Sequence, residues 1–120
     1  FGTTTTTGEW VNLTTDSPDI QTGGARGIHA SGAGSGNIIE YITISTTGNA
    51  IDFGDSLHVA SEMMGLASKT RGVFGGGNTP TLVNTIDYVT ILTTGNAIDF
   101  GDLIVPTQGG DACSNAHGGL

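Results

Sequence analysis

Apolar residues in this chain come in short runs, not in helical stripes. Tyr41-Ile42-Thr43-Ile44 and Tyr88-Val89-Thr90-Ile91 are β-branched and aromatic, the types that suit a pleated strand. Val73-Phe74 runs into Gly75-Gly76-Gly77, a strand leading to a place where backbone must pass closely. Thr-Gly-Asn at 47–49 and at 94–96 is a turn signal between short strands. The pattern predicts four strands, a near 63–68, b near 70–76, c near 84–92 and d near 97–103.

The same pattern occurs twice. Residues 41–55 read YITISTTGNAIDFGD and residues 88–102 read YVTILTTGNAIDFGD, identical at thirteen of fifteen positions at an offset of 47. Upstream, Arg26-Gly27-Ile28-His29 precedes the first copy as Arg71-Gly72-Val73-Phe74 precedes the second, at an offset of 45. A two-residue insertion within 78–85 accounts for the difference. Fragments of the unit recur at both ends, in TTTTTGEWVNL (3–13) and ACSNAHGGL (112–120). A period of this length fits propeller blades and helical solenoids, and the strand-forming content selects the blade. Leu57–Leu66 contains Ala, Glu and Met, which tolerate a helical turn. The parallel segment 103–112 holds Pro106 and two glycines, so both are expected to be strand or loop.

Composition narrows the class further. The 120 residues include 21 Gly and 19 Thr, and only 12% are charged, which argues against helices and leaves an all-β or a disordered chain. Length allows one domain with a small core. Eleven acidic residues face three basic ones, Arg26, Lys69 and Arg71, for a net charge of −8. No basic footprint exists for nucleic acid or for an anionic membrane surface. Apolar runs of four or five residues are too short to span a bilayer as a helix. A single cysteine, Cys113, makes no disulfide framework.

A strand ending in several glycines, then an aliphatic–aromatic strand, then a short strand with an aromatic and a Gly-Asp turn resembles the Kelch propeller repeat. Here those parts are Val73–Gly77, Ile86–Ile91 and Ala97–Asp102. More specifically, RGVFGGG, IDYVTI and TGNAIDFGDL resemble repeat proteins of tailed phages, notably cyanophages, described as virion structural or tail-fibre-associated proteins. The closing SNAHGGL is similar to the ends of that group. The resemblance covers 26–120 well and 1–25 loosely. It departs at His29-Ala30-Ser31-Gly32, which replaces Phe-Gly-Gly-Gly, and at Pro106–Gly110, which lacks an Arg that often follows the Gly-Asp-Leu turn. It implies an all-β fold of Kelch-like propeller blades, with four short antiparallel strands per 47-residue repeat. It also implies a virion or extracellular location and a structural role in a tail fibre, fibril or surface decoration, with host-surface contact.

As a single repeat domain, residues 1–120 divide into a partial unit 1–25, repeat units 26–55 and 56–102, and a partial unit 103–120. The strand order c–d, a–b–c–d, a–b–c–d, a–b begins and ends inside a unit. It makes fewer blades than the usual four to eight of a closed propeller. A half-blade leaves edges that pair with another chain. Two chains closing a ring, a head-to-tail filament and a longer polypeptide are the three outcomes. Completion by another chain is the one expected. The partners are then a second copy or other virion proteins, meeting through strand edges.

The chemical candidates are few. Asp52 and Asp55, and Asp99 and Asp102, each place two carboxylates around a glycine turn, an arrangement that can offer oxygens to Ca²⁺. The alternative is that these side chains cap turn amides. No other cofactor is suggested. His29, His58 and His117 lack zinc-ligand spacing. Cys113 stands at the place of Ala67 and is expected to be a packed thiol. No nucleophile, base and phosphate-loop set is legible, so no enzymatic role is expected. Tyr41, Tyr88, Gly75, Gly76, Gly77, Arg26 and Arg71 recur in register and are expected to hold the repeat together. Each arginine is expected to pair with a nearby carboxylate. Trp10 stands where Ile51 or Phe53 would, and is the candidate for stacking on a host-surface glycan in an alternative reading as a lectin-like module.

Overall fold

The computed structural model describes residues 25–30, 32 and 36–114. Within them the chain is all-β, without helix. Strands β1 (Arg26–Ala30), β2 (Ile38–Thr43) and β3 (Ile51–Asp55) form one antiparallel sheet in that order. Strands β4 (Met64–Ala67), β5 (Arg71–Gly75), β6 (Thr85–Thr90) and β7 (Ile98–Asp102) form a second, again in chain order. The four strands expected over 63–103 are therefore present, and Leu57–Leu66 makes no helical turn. The two sheets share one register. Arg26 faces Thr43 and Ile28 faces Tyr41, as Arg71 faces Thr90 and Val73 faces Tyr88. Nine residues separate β5 from β6 and seven separate β1 from β2, so the two-residue insertion lies between those strands.

Each Asp-Phe-Gly-Asp string proves to be part of a strand, not a turn. Ile39 pairs with Gly54 but Glu40 with Asp52, which leaves Phe53 as the extra residue of a bulge. The second sheet repeats this, with Ile86 on Gly101 and Asp87 on Asp99 around Phe100. Gly54 and Gly101 have φ of 146° and 143°, values that only glycine adopts without strain. The recurring glycine is thus needed to place one aromatic per repeat.

The triple glycine behaves as the sequence suggests. A Cβ on Gly76 would stand 2.5 Å from the Thr107 carbonyl oxygen, and one on Gly77 would stand 2.9 Å from that of Ser61. The segment that brings Thr107 to Gly76 belongs to the last partial unit, where the sequence predicts a strand a. Residues 103–114 form no strand, a departure from that expectation. Pro106 has no N–H to give a ladder, and the segment instead lies across the loops of the second sheet. Gly77 N–H donates to Thr107 O at 2.8 Å, and Gly109 N–H donates to Glu62 O at 3.1 Å. The partial unit 1–25, with Trp10, lies outside the described residues except for Ala25.

Candidate assembly interface

Side chains alternate between the faces of a strand, so each sheet presents two sets of residues. From the first sheet, Ile28, Ala30, Ile39, Tyr41 and Phe53 meet the second sheet. From the second, Phe74, Val89 and Ala97 meet the first, and together these make the hydrophobic core. Ile28 reaches Gly72 closely enough that a Cβ there would touch its Cδ1 at 3.9 Å. Stacking one sheet on the next therefore builds the core, and neither sheet has one alone.

The edge of the stack is bonded as well as packed. Gly95 N–H donates to Phe53 O and Ala97 N–H donates to Asp55 O, both at 2.8 Å. Asp55 N–H donates to Asn96 Oδ1 at 3.0 Å. The Thr94-Gly95-Asn96 loop thus covers the free edge of β3 and satisfies its backbone groups. A Cβ on Gly54 would fall on the Gly95 carbonyl, so this contact also requires glycine at 54. From the sequence alone Thr-Gly-Asn reads as a turn and nothing more. Its recurrence was the available signal of a further role.

Each sheet carries an arginine–tyrosine–phenylalanine set. The Arg26 guanidinium lies 4.3 Å from the Tyr41 ring centre, and Arg71 lies 4.4 Å from Tyr88. Tyr41 meets Phe53 edge-on at 5.9 Å, and Tyr88 meets Phe100 the same way. The carboxylate partners expected for these arginines are therefore replaced by tyrosine rings. Guanidinium is planar and weakly hydrated, which suits it to a ring face. Arg26 also donates from Nη1 to Ile91 O at 2.8 Å, tying the first sheet to the second.

Asp87, which no motif in the sequence marks, is fully buried. Its Oδ2 accepts from Leu57 N–H at 3.1 Å, whereas Oδ1 has no hydrogen-bond partner. Burial pushes its pKa above the usual carboxylate value, and the Leu57 N–H and His58 pull the other way. A raised pKa means that the folded chain holds the proton more tightly than the unfolded chain. The stabilisation is then full below the ordinary aspartate range and is lost as pH rises through the raised value. Wild type should lose stability relative to Asp87→Asn over that interval. Urea midpoints of both proteins from acid to neutral pH check this, and parallel profiles would refute it.

Asp52, Asp55, Asp99 and Asp102 are exposed. Among the described residues no group of three or more His, Cys, Asp or Glu is placed to hold a metal ion. Their strings lie in strands β3 and β7 and not in the glycine turn expected to carry them. His29 is exposed on β1, and His58 lines a shallow cleft with Val59, Ala60, Ser61 and Asn78. His117 lies outside the described residues. Cys113 is exposed, not packed as expected, because the segment that carries it joins no sheet.

The fold and its interface define an all-β protein of antiparallel sheets stacked through recurring residues. No family model matches the chain, and no curated protein matches it.

Proposed function

We propose that the chain is a structural repeat protein that builds an extended assembly, as a virion component of a tailed phage in a fibre, fibril or surface decoration. The observation that carries the structural reading is the use made of the repeat. The identical residues Thr94–Ala97 and Phe53–Asp55 are spent on joining one sheet to the next. The virion assignment draws on the resemblance of RGVFGGG, IDYVTI and TGNAIDFGDL to phage repeat proteins, and host-surface contact follows from the same source. The alternative is a lectin-like module; its stacking candidate Trp10 lies outside the described residues, and the two recurring tyrosines already carry a guanidinium and a phenyl ring. Negative-stain electron microscopy of the purified protein tests the structural reading. Ordered rings or fibres support it, and uniform single particles the size of one chain refute it. Immunogold labelling of intact virions tests the location.

A further inference from the structure

We infer that the outer face of the second sheet binds the outer face of the first sheet in a second copy of this chain, repeating the contact already made inside one chain. The inference rests on the structural reading above and specifies its contact as a face-and-edge joint. It follows from comparing each buried interface residue with its counterpart in the other repeat.

On the second sheet, the outward set matches the buried set of the first. Phe100 is 54% exposed where Phe53 is 2% exposed. A Cβ on Gly101 would meet nothing within 4 Å, where one on Gly54 meets the Gly95–Asn96 backbone. Arg71 already lies over Tyr88, as Arg26 lies over Tyr41. Phe100 also keeps the edge-on contact to Tyr88, so this half of the joint is preformed.

On the first sheet, the outward set matches the buried set of the second. Ile42 is 45% exposed where Val89 is 2%, and Ile44 is 66% exposed where Ile91 is 9%. Ala50 is exposed where Ala97 is buried. Gly48-Asn49-Ala50 has the same sequence as Gly95-Asn96-Ala97, the loop that bonds the β3 edge. A second copy can therefore set this loop on β7, with Gly48 and Ala50 N–H donating to Phe100 O and Asp102 O. Its Asn49 side chain would accept from Asp102 N–H. Arg71 would donate to the second copy's Ile44 O, as Arg26 does to Ile91 O. Ile28, Ala30 and Val89 are matched by the apolar or small residues Val73, Gly75 and Ile42, and two positions change in character, His29 for Phe74 and Glu40 for Asp87. Glu40 retains a donor, because Ile104 stands in the place of Leu57, whose N–H serves Asp87. Ile104 is fully exposed in the single chain.

The two surfaces are different, so the contact is head-to-tail and propagates into a ring or a filament. That asymmetry gives a complementation test by sedimentation velocity over a range of concentrations. Wild type should associate. Ala50→Arg spoils only the head and Phe100→Ser only the tail, and each should weaken association at least about 30-fold. Mixed in equal amounts, the two variants retain one intact joint and should form dimers and nothing larger. Both substitutions are at exposed positions, so circular dichroism should match wild type. Ile44→Glu serves as a second head variant. Association of wild type that all three variants leave unchanged would overturn this interface while leaving a structural role standing. A mixture that stays monomeric would also overturn it. Wild type that is monomeric throughout would overturn both readings.

Discussion

Replacing Phe53 by Ala should cost about 3–5 kcal/mol of folding stability, the usual penalty for truncating a buried phenyl ring. The same change at Phe100 should cost about 1 kcal/mol, the scale of a single edge-on aromatic contact. The two residues occupy equivalent bulges, and both meet a tyrosine at 5.9 Å. They differ in what lies beyond. Phe53 joins Ile39, Phe74, Val89 and Ala97 in the core between the sheets, and Phe100 has no third sheet against it among the described residues. Small domains hold about 5–15 kcal/mol in total, so Phe53→Ala should leave a large unfolded fraction in dilute solution. Urea denaturation at concentrations where the wild-type chain is monomeric measures the pair. Equal losses would show that the sheets do not stack in this way.

Gly54 and Gly101 give a second paired test, this time of backbone approach. Both have φ near +145°, so an alanine at either position carries the strain of a conformation that L-residues avoid, about 1–3 kcal/mol. Only at Gly54 does the new methyl also meet backbone. The Gly95 carbonyl and the Asn96 N–H group lie where it would go, and neither can move without breaking the bonds from Gly95 to Phe53 and from Ala97 to Asp55. Overpacking of that kind adds about 1–3 kcal/mol. Gly54→Ala should therefore be clearly less stable than Gly101→Ala in the monomer, and thermal unfolding of the two variants reads the difference. In concentrated solution the order of effect on self-association should reverse, because Gly101 then faces the incoming loop.

Much of this architecture was legible in the residues. The β-branched and aromatic runs Tyr41–Ile44 and Tyr88–Ile91, together with their recurrence at an offset of 47, place β2, β3, β6 and β7 in one pattern. The triple glycine at 75–77 announces a close backbone approach, which Thr107 makes at Gly76 and Ser61 at Gly77. What stayed hidden depended on contacts across the sheets. Asp-Phe-Gly-Asp looks like a turn because glycine between aspartates usually marks one. A bulge uses the same glycine, and only pairing with Ile39 and Ile86 distinguishes them. Arg26 and Arg71 looked like carboxylate partners because acids outnumber bases in the chain. Their tyrosine partners sit on the neighbouring strand of the same sheet, a relation that depends on register. Asp87 was silent because nothing in a strand sequence tells which face will be covered.

The recurring strings also set what can be learned from one chain. Most interface residues have an internal control 45 or 47 positions away, with the same or a similar side chain in a different environment; Phe74, matched by His29, is the exception. With a net charge of −8, copies repel at low ionic strength, so added salt should favour the assembled form.

The central claim is that the contact between the two sheets is repeated between copies. Amide hydrogen exchange at Gly48 and Ala50, compared with Gly95 and Ala97 at low and high protein concentration, tests it most directly. Gly95 and Ala97 donate to β3 within the chain and should be protected at every concentration. Gly48 and Ala50 should exchange freely when dilute and become protected alongside them as copies assemble. Free exchange at Gly48 and Ala50 in fully assembled protein would contradict the claim.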